Sequence, residues 1–143
     1  MIKKTQAVAS VREFNRFYTN ILGLVNRHVY ESAYSLSEVR VMYEINHTPV
    51  CTASDIKRTL QIDEGYLSRI IDKFVKQKLV KKMKSPKDGR IYMLKLTPKG
   101  NALFIKLNET SDHSVADLIG KLSEHELQEL ITMLEGVRRI LSK

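Results

Sequence analysis

Between Asp63 and Thr97 the hydrophobic pattern changes period twice, and few folds accommodate that over so short a stretch. Leu67, Ile70, Ile71, Phe74 and Val75 recur at i, i+3, i+4, i+7 and i+8, which predicts a helix with one buried face. Gly65, Tyr66, Ser68, Arg69, Asp72, Lys73 and Lys76 then point away from that face. After Leu79 the pattern alternates. Residues 80–84 and 91–96 read as two strands around the turn Ser85-Pro-Lys-Asp-Gly89. Helical spacing returns at Thr97-Pro98, with threonine as cap and proline at the first position, where its missing N–H is not needed. Upstream, Thr52-Ala-Ser-Asp55 opens a short helix to about Leu60. Gln61 and Ile62 form a tight connection to Asp63, which caps the next helix. Two short helices on a tight turn, followed by a hairpin, predict a winged helix-turn-helix over residues 36–97.

The rest of the chain reads as helix, which makes the fold mainly α, with about six helices and one β-hairpin wing. A first helix from about Val8 to Tyr30 carries Val11, Phe14, Tyr18, Ile21, Val25 and Val29 on one stripe. Ser35-x-x-Glu38 is a capping-box pattern opening a helix that Pro49 stops, and Ser123-x-x-Glu126 opens the last one. A winged lobe needs only 36–97, so 1–34 and 98–143 carry surplus apolar surface. Wide apolar stripes at both chain ends predict dimerisation helices and a homodimer within a single 143-residue domain.

The charge is as localised as the pattern. Residues 73–99 hold ten Lys or Arg and one acid, Asp88, so this segment carries +9 and the rest of the chain −1. Such concentration is the footprint of a polyanion site. No apolar run approaches the roughly 18–20 residues that span a bilayer, and the start of the chain lacks a secretory pattern. With one cysteine, Cys51, no intramolecular disulfide can form. These features predict a cytoplasmic protein that does not engage membranes.

Read in order, Thr52-Ala-Ser-Asp-Ile56, Asp63-Glu-Gly-Tyr-Leu-Ser-Arg-Ile70, Leu79-Val80, Asp88-Gly-Arg90 and Leu94-x-Leu-Thr-Pro-Lys-Gly100 resemble the MarR family of transcription regulators. The resemblance covers nearly the whole chain. Arg12-Glu-Phe-Asn-Arg-Phe-Tyr-Thr19, Ser35-Leu-Ser-Glu-Val-Arg-Val41 and Gly65-Tyr-Leu-Ser-Arg69 are similar to the MarR-type half of fusions with a GNAT-type acetyltransferase. No acetyl-coenzyme A loop follows before Lys143, which leaves open a free-standing relative or a truncated piece. One departure stands out: the family commonly has glycine before Leu79, and this chain has Lys78.

The resemblance implies a homodimer that binds a pseudo-palindromic operator in double-stranded DNA, acts as a repressor, and is released by a small-molecule effector. Arg69 is the foremost base-reading candidate, since a guanidinium fork matches guanine O6 and N7. Ser68 and Tyr66 have shorter reach. Gly65 permits close backbone approach, and Ser54, Lys73 and Lys76 are expected at phosphates. In the wing Arg90 is expected in the minor groove, with Lys84, Ser85 and Lys87 at phosphates. For Asp88 the resemblance implies a charge-assisted bond that fixes the Arg90 rotamer; the alternative is a turn-forming Asp before Gly89. An effector pocket is expected by analogy around Asn15, Arg16, Tyr18, His28 and Tyr43, residues that could equally serve packing.

Other chemistry finds little support. Val50-Cys51 reads as a short strand beside the wing, which favours Cys51 as buried filler over a redox sensor. Glu109 and His113 lie one helical turn apart, but no His-x-x-x-His or Cys-rich spacing accompanies them, and no metal or cofactor is expected. Nucleophile elbows, phosphate loops and metalloprotease motifs are lacking, so an enzyme is not predicted. An architectural DNA binder without sequence preference is the competing class.

Overall fold

A computed structural model describes residues 1–143 and resolves seven helices and a three-stranded antiparallel sheet. The chain divides into two compact units: residues 26–110, and residues 1–25 with 111–143.

The 26–110 unit contains α2 (Arg27–Tyr30), α3 (Leu36–His47), β1 (Cys51–Thr52), α4 (Ala53–Leu60), α5 (Glu64–Lys76), β2 (Val80–Lys84), β3 (Tyr92–Leu96) and the first half of α6 (Pro98–Ile119). β3 is the central strand, pairing Cys51 with Leu94 on one side and Val80 with Leu96 on the other. One apolar core joins Val41, Met42 and Ile45 of α3, Ile56 of α4, Leu67, Ile70, Ile71 and Phe74 of α5, Leu79, Val80 and Leu94 of the hairpin, and Phe104 of α6. The helical spacing in α5 therefore places four of its five apolar residues inside. Val75, expected with them, is exposed, because it lies at the edge of the stripe.

Both ends of α5 are built by local chemistry. Asp63 accepts from the Tyr66 N–H at its start. At its end the Leu79 N–H bonds the Phe74 carbonyl and the Lys78 N–H that of Val75, with Lys78 in the left-handed region at φ 60°. This is the closure usually served by glycine. The exit is then stapled to the start of α6. The Thr97 hydroxyl donates to the Lys78 carbonyl at 2.6 Å, Lys99 Nζ reaches the Gln77 carbonyl, and the Thr97 N–H bonds Leu79. Gly100 fits against this joint because a Cβ there would lie 2.0 Å from the Leu79 carbonyl oxygen.

The second unit comprises α1 (Lys4–Val25), the remainder of α6 and α7 (Glu124–Leu141). Ser123 and Glu126 form a complete capping box at the start of α7. None of this unit's residues is buried, and Phe14, Phe17, Leu24, Ile131, Met133, Leu134 and Ile140 are exposed.

The continuous first helix expected from Val8 to Tyr30 is in fact two. Asn26 leaves helical geometry (φ −104°, ψ 12°), α1 ends at Val25, and α2 follows. Val29, predicted on the same stripe as Val11 and Phe14, is fully buried in the 26–110 unit. No helix is long and apolar enough to cross a membrane.

Candidate nucleic-acid interface

α4 starts on a complete capping box. Thr52 accepts from the Asp55 N–H, and the Asp55 carboxylate accepts from both the N–H and the hydroxyl of Thr52. These bonds from Thr52, reinforced by Arg58 at 2.7 Å, lower the Asp55 pKa. The helix ends at Gln61 in the left-handed conformation (φ 51°), which turns the chain into α5 within three residues. Gly65, Tyr66, Ser68, Arg69 and Lys76 lie exposed along α5. The Arg69 guanidinium sits 5.9 Å from the centre of the Tyr66 ring, an arrangement that limits its freedom before any ligand arrives.

The wing loop is ordered by its own backbone. The Ser85 N–H bonds the Ile91 carbonyl, the Ile91 N–H that of Asp88, and the Ser85 hydroxyl accepts from the Lys87 N–H. Asp88 corrects an expectation. Its carboxylate accepts from the backbone N–H of Arg90 at 3.0 Å, and no ion pair joins it to the Arg90 guanidinium. The aspartate therefore shapes the turn, and no ion pair commits the arginine side chain.

Between α4, α5 and the wing lies an open cleft of about 610 Å³. Ser54, Gly65, Ser68 and Arg90 all line it, so four expected contact residues from three separate elements converge. Lys57, Glu64, Lys82 and Tyr92 line it as well and were not anticipated from the sequence. Tyr66, Arg69 and Lys76 lie on α5 without lining the cleft, and Lys84, Ser85, Lys87 and Asp88 belong to the wing but do not line it.

Lys73 stands apart. Its Nζ donates to both carboxylate oxygens of Glu38, at 3.0 and 2.9 Å, and lies over the Tyr34 ring. Glu38 is mostly covered, so this cation is neutralised within the fold rather than presented as a phosphate ligand. Lys82 is partly engaged too, 3.6 Å from Asp72. The remaining basic side chains of the segment are exposed.

The residues expected at an effector site are distributed over both units. Tyr18 stacks on Phe14 and the Asn15 carbonyl accepts from Thr19, both on α1, where Arg16 is exposed. Tyr43 stacks on His47 and packs against Phe104, while His28 is half-buried on α2. Cys51 is fully buried in β1, and burial, with Asp55 and Glu44 nearby, pushes its thiol up to about 11. At neutral pH it is a protonated core side chain, the opposite of an activated thiolate. No group of three His, Cys, Asp or Glu side chains is placed to hold a metal.

A helix pair, a paired wing and a basic cleft between them define a winged helix-turn-helix protein. Residues 34–92 match the sequence pattern of the MarR family. The HTH-type transcriptional regulator BilQ of Clostridium symbiosum is 27% identical over 101 residues, covering 71% of this chain and 70% of its own. The multiple antibiotic resistance protein MarR of Escherichia coli is 28% identical over 115 residues, 80% of each chain. The fold is also that of a mutant E. coli MarR solved with operator DNA: TM-score 0.75, 21% identity, 96% of this chain and 99% of that one. The fold is thus that of a winged-helix protein, and over residues 34–92 the chain is similar to the MarR family, whose matched relatives are transcription regulators.

Proposed function

We propose that this protein is a cytoplasmic, homodimeric repressor that binds a pseudo-palindromic operator in double-stranded DNA. The observation that carries the reading is the convergence of Ser54, Gly65, Ser68 and Arg90 on one cleft, whose wing side belongs to the segment 73–99 that holds the chain's excess positive charge. α5 lies in the major groove, where Arg69 reads a guanine and Ser68 and Tyr66 meet neighbouring groups. The unpaired amides at the start of α5, beside Gly65, face a phosphate. Arg90, free of Asp88, enters the minor groove. Lys76, Lys84, Lys87 and the Ser85 side of the wing supply phosphate contacts that set affinity without reading sequence. Lys73 is left out of this set because Glu38 holds it. Homodimerisation is supported by the uncovered apolar helices at the chain ends. Repression and release by a small-molecule effector are supported by the family resemblance.

The test is Arg90→Ala in gel-shift titrations against the protein's own promoter region. Affinity falls on the order of tenfold or more, while melting temperature and mass in solution stay as in the wild type. Unchanged affinity removes the wing from the interface. Footprinting separates a regulator, which protects a discrete palindrome, from an architectural protein, which protects DNA uniformly and loses affinity steeply with salt.

A further inference from the structure

The cleft that carries the proposed function contains one acid. Glu64, the first residue of α5, lines it together with Ser54, Ser68 and Arg90, and its side chain is 82% exposed. Neighbouring acids have other employment: Asp63 caps α5, and Asp88 shapes the wing turn. Glu64 has a single partner, Lys57 of α4, whose Nζ donates to Oε2 at 3.0 Å. The second carboxylate oxygen, Oε1, is left without a donor in the fold.

An exposed carboxylate facing a polyanion is costly, and it disables a lysine that could otherwise serve a phosphate. Such an arrangement lowers affinity for DNA in general. It is tolerated where the acid gains from one base more than it loses elsewhere, because discrimination is a difference of affinities. A carboxylate only accepts hydrogen bonds. Across the major groove, guanine presents two acceptors and thymine an acceptor with a methyl group, while adenine sets an acceptor beside its amino group. Cytosine alone offers an amino donor without an adjacent acceptor. The first turn of a recognition helix is also the part that reaches base edges.

We propose that Glu64 is a specificity-determining residue: its carboxylate, held in place and partly neutralised by Lys57, accepts from the exocyclic amino group of a cytosine in each half-site and penalises other bases and stray phosphates. The inference rests on the DNA-binding reading above and extends it to a base that reading leaves unassigned.

Selection from a randomised duplex library, followed by titration of single-base operator variants, tests it with the wild type, Glu64→Ala and Glu64→Gln. The wild type selects cytosine at one symmetric position. In Glu64→Ala that preference falls on the order of tenfold. Affinity for a scrambled duplex rises, and the salt dependence steepens by about one phosphate contact as Lys57 is released. Glu64→Gln, which both donates and accepts, shifts the preference toward adenine. If Glu64 serves only the helix dipole, both variants melt lower and select the same bases as the wild type, and the inference is overturned. A wild type with no base preference anywhere overturns the regulatory reading together with it; unchanged preferences in Glu64→Ala overturn this inference alone.

Discussion

The two units of this chain solve the problem of apolar surface in opposite ways. In residues 26–110, helices α3 to α6 and all three strands contribute to one core, from Val41 to Phe104, and the wing segment carries the excess positive charge. In residues 1–25 and 111–143 the helices are as apolar in pattern, yet no side chain is buried. One unit is complete in itself. The other carries stripes that only an additional surface can cover, and the proposed homodimer supplies it. The proposed function divides along the same line: the self-contained unit holds the excess positive charge, and the other unit the apolar stripes of the proposed homodimer.

The largest effect should come from the core. Phe74→Ala removes a fully buried ring and is expected to cost about 3–5 kcal/mol in denaturant unfolding, whereas Phe17→Ala, on exposed α1, should cost under about 0.5 kcal/mol in dilute solution. Equal losses would break the comparison. A smaller but more telling effect is expected from Ile131→Asp on α7, which is half-exposed. The wild type should melt higher as concentration rises, as binding linkage requires, and the variant should lose that dependence and sediment as a monomer. A variant that remains a dimer places the interface elsewhere. The smallest change sharpens the picture of the α5 exit: Lys78→Gly relieves a left-handed lysine and should stabilise the chain by less than about 1 kcal/mol, since glycine also loosens the unfolded state. A loss of stability there would mean that the lysine stem contributes packing.

What could be read in the sequence was local. The spacing of Leu67, Ile70, Ile71 and Phe74 specifies a buried face without reference to any other segment, and Ser85 to Gly89 specifies a turn. The Thr52–Asp55 box is legible for the same reason, because both partners lie within one helical turn. What escaped depends on partners distant in sequence or on a choice between two nearby ones. Lys73 looks like any exposed lysine until α3 brings Glu38 beside it from 35 residues away. Asp88 could serve a guanidinium or an amide, and only the closed loop decides for the amide. The helix break at Asn26 carries no proline or glycine, so no local signal in the sequence marks it. Glu64 and Lys57 meet only because Gln61 turns one helix onto the next.

The staple between the end of α5 and the start of α6 has a mechanical consequence. Three hydrogen bonds and the missing Cβ of Gly100 make this junction a weld instead of a hinge. α6 runs from there for 22 residues, a rod about 33 Å long. Within the 26–110 unit, a rotation of the first turns of α6 therefore passes to the end of α5 with no intervening joint to absorb it.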